Sequence, residues 1–454
     1  MSDRLLARFK NTNLIVMGMF VTFVVAKYME WGARRAIFET IRIEFSLGAM
    51  LFTVGVVYVL MKRVDIESAR KVLVAVALLF VASAIQVPFA ADPGLASRIF
   101  YNRLVKFFML SFFMLVFIRS PRDLRWFMFA FLFACFYVTQ ESVRGLIRGS
   151  LIWENQGVMR LHGAVPIYTH PNSLAGVSMG AIVFVVFLLP AVRDWRARAG
   201  LAALLGTAAT CVIYSGSRTG YVALVGFLAY WWAVSPNKKR WLLIGGVLGA
   251  VSLSVIPSQY IGRFRSITGE EAEGHSREKR IEILRDAWVI LQENPGGVGL
   301  GCFPVVRMQR FNRMQDTHNL YFEVATNTGV QGLLIFVIFL WILMQTFYRA
   351  GTSLARQRRK LIHLGRSRLL PAQAMGPART HLQNIDYMIA ACKAGAGFII
   401  VRLLLGLFGM DFYEIYWWFS AGLAMALAGL DDISRRTTGD FVELAEENAP
   451  ATGF

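Results

Sequence analysis

The stretch Asp316–Phe347 reads DTHNLYFEVATNTGVQGLLIFVIFLWILMQTF. Four polar residues open it, and from Leu320 to Phe347 Glu323 is the one charged residue. That apolar length exceeds the roughly 20 residues a helix needs to cross bilayer hydrocarbon. Similar blocks recur upstream at Asn13–Tyr28, Phe45–Met61, Val72–Ala91, Ile99–Ile118, Trp126–Glu141, Asn172–Pro190, Gly200–Ser215, Thr219–Val234 and Trp241–Ile256. Two more follow at Ile385–Gly409 and Phe412–Leu430. A helix satisfies its own backbone in lipid, so the pattern predicts an all-α, polytopic integral membrane protein of about 12 transmembrane helices.

Composition agrees. Of 454 residues, 56% are hydrophobic and 17% charged, with a mean hydropathy of +0.49. A soluble domain would carry roughly a quarter charged residues. The organisation expected is an N-terminal membrane bundle over residues 1–256, a long outward loop with an interfacial helix over 257–319, C-terminal membrane helices over 320–430 and a tail over 431–454. The loop thus falls between the ninth and tenth spans. The N-terminus, with Arg4, Arg8 and Lys10 before Leu14–Ala26, lacks a small-residue cleavage site, so it reads as an uncleaved first helix.

The formal charge of +19 follows the membrane, not nucleic acid. No basic stripe is interleaved with aromatics on a soluble face, so no nucleic-acid partner is expected. Lys and Arg instead collect in alternate loops: Lys62, Arg63, Arg70 and Lys71; Arg119, Arg122 and Arg125; Arg193, Arg196 and Arg198; Lys238, Lys239 and Arg240; and the basic loop Arg349–Arg379. Positive charge marks the cytoplasmic side, so both termini are expected there and Pro257–Thr317 outside. That outward loop is itself rich in arginine, including Arg263, Arg265, Arg277 and Arg280. Long loops translocate regardless of charge. The excess suits an anionic ligand, phosphate above all, because the guanidinium fork matches its oxygens. Contact with anionic headgroups is the plainer alternative.

Within the loop, Ile281, Leu284, Trp288 and Leu291 recur at helical spacing over Glu278–Glu293, with Arg280 and Arg285 off the stripe. A helix lying on the outer membrane face is expected. Asn294-Pro295-Gly296-Gly297 ends it, and the run Gly297–Gly301 follows a helix instead of a strand, which argues against a dinucleotide loop. A second outward loop, Ser142–Thr169, leads into His170-Pro171-Asn172. A third feature is the tight turn Ser215-Gly216-Ser217-Arg218-Thr219-Gly220, which needs small residues but no arginine. The four cysteines form no CxxC, and no HExxH pattern occurs, so neither metal nor disulfide is expected.

Arg218, Arg280 and His318 are the candidate catalytic residues. Singly, each has an ordinary reading: arginines near helix ends snorkel to headgroups, and polar residues at a helix start cap it. Together they suggest more. A helix N-terminus and nearby arginines disfavour imidazolium, leaving His318 neutral and able to take a proton. Arginines around it would hold a diphosphate and stabilise charge developing on it as a leaving group. Arg103 and Lys106, charged residues near the outward end of the fourth span, are further candidates for a diphosphate.

Three segments resemble the bacterial O-antigen ligase superfamily, which includes O-antigen polymerases and protein O-oligosaccharyltransferases. Ser215–Gly220 is similar to its serine–arginine turn. Arg280, with Pro295 and Gly299-Leu300-Gly301, resembles its Arg–helix–Pro–Gly-x-Gly segment. Asp316-Thr317-His318-Asn319-Leu320-Tyr321 with Gly329-Val330-Gln331-Gly332 resembles its His-Asn-x-Tyr and Gly-x-x-Gly signature. Arg277 and Lys279 flank Arg280, so the arginine assignment rests on the count to Pro295.

The resemblance implies a GT-C-like bundle and a metal-independent, inverting glycosyltransferase without cofactor, in a bacterial inner membrane. Its donor would be a glycan on undecaprenyl diphosphate, presented at the periplasmic face. Its acceptor would be lipid A–core first, with a growing glycan or a protein hydroxyl as alternatives. Arg218 and Arg280 would bind diphosphate and His318 would activate the acceptor. Arg277, Arg265, Asn319, Tyr321, Arg103, Lys106, His170 and Asn172 are the secondary substrate-binding candidates. A monomer among membrane lipids is expected. The rival class is a transporter or lipid-linked glycan flippase, for which Lys393 and Arg402 inside the eleventh span would be cited. No internal repeat supports it.

Overall fold

The computed structural model describes residue 6 and residues 8–155, 158–239, 260, 276–367, 369–409 and 412–448. Helices stand where the apolar blocks predict them: α1 (Leu14–Met29), α2 (Ile43–Leu60), α3 (Ile66–Gln86), α4 (Pro93–Phe117) and α5 (Pro121–Arg148). A hairpin, β1 (Ile152–Asn155) and β2 (Val158–Leu161), precedes α6 (Pro171–Leu188), α7 (Trp195–Tyr214) and α8 (Arg218–Val234). Then come α9 (Ser276–Glu293), α10 (Phe303–Phe311), α11 (Leu320–Arg366), α12 (Ala372–Gly406) and α13 (Tyr416–Glu447). Among the described residues, eight helices are long and apolar enough to cross a membrane. The expected span Trp241–Ile256 lies outside the described residues. The protein is an all-α, polytopic membrane protein.

The starts follow from local chemistry. Asn13, Asp65, Ser120, Asp194 and Ser217 each accept a backbone N–H of the first helical turn through the side chain, and Pro121 and Pro171 occupy first helical positions. Helix α6 is the most enclosed span, lying against α7 and α12, while α11 is packed by α3, α12 and α13. Cores this dense in Phe gain from edge-on ring contacts, as where Phe184 meets both Phe131 and Phe419.

The two ends of the bundle are distinct. At one, Arg8 pairs with Asp440 at 2.6 Å, the Thr12 amide donates to Asp123, and Gln357 donates to Asp431. At the other, the Tyr168 hydroxyl donates to the carbonyl of Tyr28, where α1 ends. Helix α11 begins at this second end and reaches Gln357 at the first. His318 therefore lies at the bundle end opposite Arg8 and Asp440.

Helix α11 is broken once, at Gly329 (φ 76°, ψ 178°). The break receives the Gly-rich run. Val298 and Gly299 donate their amides to the carbonyls of Thr326 and Asn327 (2.8 and 3.0 Å), and Val330 donates to Pro295 (3.0 Å). The side-chain amides of Gln86 and Gln331 both donate to the Gly296 carbonyl (2.7 and 2.8 Å). These backbone amides are committed to a helix terminus, so the Gly-rich run is a structural joint and no phosphate loop.

Three local expectations differ from the fold. The basic stretch after Arg349 reads as loop in sequence, yet α11 continues through Arg366. Arg, Lys, Gln and Leu are strong helix formers, and Gln357 is held by Asp431 and Ser434 (2.8 and 2.6 Å). Helix α9 buries Ile283, Ala287 and Ile290 against the protein, leaving Ile281 and Trp288 exposed on its other side. The second outward loop is partly ordered, with α5 running to Arg148 and the hairpin following.

Candidate active site

His318 lies in the link between α10 and α11, immediately before the cap of α11. Asn319 is that cap: its Oδ1 accepts from the amides of Tyr321 and Phe322 (3.0 and 3.1 Å), and its Nδ2 donates to Leu407 (3.1 Å). The Tyr321 hydroxyl donates to Leu403 (3.1 Å). Thr317 donates to the Asn319 carbonyl. Asn319 and Tyr321 thus fix the start of α11 onto the end of α12. Between these fixed neighbours His318 takes a left-handed backbone (φ 48°), a conformation costing a non-glycine residue about 1–3 kcal/mol. The ring stays accessible. Its pKa is lowered below the usual 6.5, first by the surrounding protein and also by the fields of Arg280 and Arg307, with Asp316 opposing. The imidazole is therefore neutral at pH 7.

The arginines differ in freedom. Arg307 is wholly buried and donates to Asp286 of α9 at 2.9 Å, and Arg313 pairs with Glu282 at 2.6 Å. These pairs clamp α9 to α10 and so set the position of Arg280. The Arg280 guanidinium, half-buried, stands 5.6 Å from the centre of the Phe408 ring.

Arg218 is the first residue of α8, half-buried behind a turn in which Gly216 is left-handed (φ 57°) and Ser217 caps the helix. The turn is held by Arg160 of β2, only 6% exposed, which donates Nε to the Ser215 carbonyl and Nη2 to Asn172 (2.8 and 2.9 Å). His170 caps α6, with its Nδ1 accepting from the Asn172 amide at 3.2 Å. Burial lowers the pKa of His170, and so do the neighbouring Arg160 and His318. The serine–arginine turn and the start of α6 are thereby joined through Arg160, and His170 lies within electrostatic reach of His318.

Arg160 is the residue that sequence reasoning passed over as a site member. A weak signal was present: two short runs, Ile152–Asn155 and Val158–Leu161, are separated by two residues ending in Gly157, a hairpin spacing that sets Arg160 opposite Trp153. Arg103 and Lys106 lie elsewhere, lining a cavity of about 720 Å³ whose walls include none of His318, Arg280 and Arg218. Arg265 and the side chain of Arg277 lie outside the described residues. Among the described residues no cluster of three or more His, Cys, Asp and Glu could hold a metal ion.

Residues 201–337 match a family model described as O-antigen ligase. No curated protein matches the chain. The matched segment starts in α7, includes the Arg218 turn, Arg280 and His318, and ends inside α11 beyond the Gly329 break. It therefore spans all three resembling motifs, and residues 201–337 of this multi-pass membrane protein are similar to the O-antigen ligase family.

Proposed function

We propose that the protein transfers a glycan from undecaprenyl diphosphate to a hydroxyl of lipid A–core at the periplasmic face of a bacterial inner membrane. The observation that carries this reading is His318, held in a left-handed backbone at the start of α11 within electrostatic reach of Arg280 and His170, at the bundle end where Arg160 braces the Arg218 turn. His318 takes the acceptor's hydroxyl proton as that oxygen attacks the anomeric carbon. The bond from that carbon to the diphosphate oxygen breaks, and its electron pair leaves with undecaprenyl diphosphate. Arg218 and Arg280 stabilise the charge that develops there. Attack opposite the leaving group inverts the anomeric centre, and the imidazolium then releases its proton to water.

Arg265 and Arg277 are additional diphosphate contacts in this scheme. His170 and Asn172 border the acceptor side, and Asn319 and Tyr321 keep the histidine loop in place. The chemistry needs neither metal nor nucleotide, because the donor's diphosphate bond drives transfer. Polymerisation of glycan repeats and glycosylation of a protein hydroxyl use the same donor half and remain sister readings. A transport reading would need mobile intramembrane charges. Arg402 instead donates to the Gly176 carbonyl at 2.9 Å over the Tyr416 ring, and Lys393 donates to Val234 at 3.4 Å.

Purified protein given undecaprenyl-diphosphate glycan and lipid A–core should form product in the presence of a chelator. His318→Ala should abolish transfer with the protein still folded. Wild-type rates in that variant, or activity lost to the chelator, would overturn the reading.

A further inference from the structure

The cavity holding Arg103 and Lys106 is a second amphiphilic site at the same bundle end as His318. Its walls come from the end of α1, the start of α2 and the first half of α4. Phe45, Phe52 and Tyr101 line it and remain 54%, 44% and 53% exposed, which opens it toward the surrounding lipid.

Four cations, Lys27, Arg42, Arg103 and Lys106, and two carboxylates, Glu39 and Glu44, line it. Lys27 pairs with Glu44 at 3.0 Å, and Arg103 reaches Glu414 at 3.5 Å. Arg42 and Lys106 have no carboxylate partner among the described residues; Arg42 rests on the Phe45 ring, and Lys106 donates to the Asn102 amide oxygen. Both cations stand at irregular backbone. Arg42 is left-handed (φ 47°) at the cap of α2, and α4 passes through a π-helical turn at Phe100–Val105 just before Lys106. Neither device helps a simple transmembrane span, and both re-aim side chains.

Described residues on either side of 410–411 touch both the histidine loop and this cavity. The end of α12 is bonded to the histidine loop through Asn319 and Leu407, and Phe408 lies under Arg280. Further along, the Phe412 amide donates to Glu323 of α11, Tyr413 accepts from the Gly301 amide, and Glu414 and Ile415 reach the cavity.

We propose that this cavity seats the acceptor as a membrane-borne, phosphate-bearing glycolipid, with its acyl chains against the aromatic wall and its phosphate between Arg42 and Lys106. Its sugar head then passes over the 407–415 loop to His318. The proposal rests on the glycan-transfer reading for the word acceptor. Charge complementarity favours an anion, since cations outnumber carboxylates in the lining and Arg42 and Lys106 form no ion pair among the described residues. A cavity of about 720 Å³ is of the size that encloses a ligand. The arginines assigned to the donor diphosphate, Arg218 and Arg280, do not line this cavity.

The test is lipid retention by the full-length protein in phosphatidylcholine nanodiscs, read by native mass spectrometry without turnover. Lipid A, undecaprenyl diphosphate and phosphatidylglycerol are the probes. The double variant Arg42→Gln/Lys106→Gln should lose lipid A retention by about tenfold, through loss of two charge-assisted contacts, and keep undecaprenyl diphosphate. Gly48→Leu should also lose lipid A with no change of charge, because the cavity-lining Gly48 has only the Phe23 ring edge near a β-carbon, at 3.5 Å. Unchanged lipid A retention in both variants would overturn the proposal. So would loss of undecaprenyl diphosphate in its place, or displacement of lipid A by equimolar phosphatidylglycerol. Active His318→Ala protein would sink the transfer reading while leaving these retention results to stand.

Discussion

A β-carbon on Gly297 would stand 2.5 Å from the backbone nitrogen of Gly329. The two glycines, far apart in sequence, meet as the two halves of one joint, each with a positive φ (92° and 76°). The motif that resembles a phosphate loop and the motif inside α11 thus share a single mechanical role: they hold the first turns of α11, and with them His318, against the end of α9.

Substituting alanine at Gly297 should therefore disturb fold and transfer together. The expected cost is about 1–3 kcal/mol from crowding in a packed joint. Thermal melting of the purified variant in detergent measures it. An unshifted melting temperature would show that the joint yields freely.

Transfer should fall on the acid side as His318 takes up a proton. Because its pKa lies below the usual 6.5, the acid limb of kcat/KM should fall below that value, with activity level at pH 7. Asp316 holds the imidazole's pKa up, so Asp316→Asn should move the limb to still lower pH. Arg280 holds it down, so Arg280→Gln should move the limb upward as well as slowing transfer. A limb that ignores both substitutions would remove His318 from the role of base.

Arg160 is expected to be a positioning residue. Replacing it by Met leaves the Ser215 carbonyl and the Asn172 side chain without its guanidinium, at about 1–3 kcal/mol. Donor KM should rise, because the Arg218 turn loses its brace. Arg160→Lys can restore one bond of the two and should recover part of the KM. A loss confined to kcat, with KM unmoved, would contradict a bracing role.

The buried Arg307–Asp286 pair should behave asymmetrically. Arg307→Met leaves the buried Asp286 carboxylate with Arg313 alone, at 3.6 Å, and should destabilise by up to about 3–5 kcal/mol, whereas Arg307→Met with Asp286→Leu should recover much of that loss. Denaturation of the single and double variants decides it; a double variant no better than the single would refute the asymmetry.

The spans were legible in sequence because each apolar block has one stable solution in lipid, a helix, and polar caps such as Asp65 and Ser217 mark the starts. His318, Arg218 and Arg280 were candidates through their chemistry and motif spacing. What sequence concealed was tertiary. The face of α9 that packs is Ile283, Ala287 and Ile290, and nothing local distinguishes it from the equally apolar Ile281–Trp288 stripe. The basic end of α11 reads as loop until Asp431 and Ser434 of a distant helix engage Gln357. Arg160 was hidden among loop arginines because its partners, Ser215 and Asn172, lie on other elements. Arg103 and Lys106 sit at the expected bundle end but on a different wall, which helical periodicity does not specify.

The ion pair between Arg8 and Asp440 has a practical corollary. A fluorescent reporter or an immobilising tag attached after Glu447, where α13 ends on the Asp440 side, would sit a full bundle length from His318. Single molecules tethered there would leave the His318 end unobstructed, so lipid capture can be watched on an anchored copy.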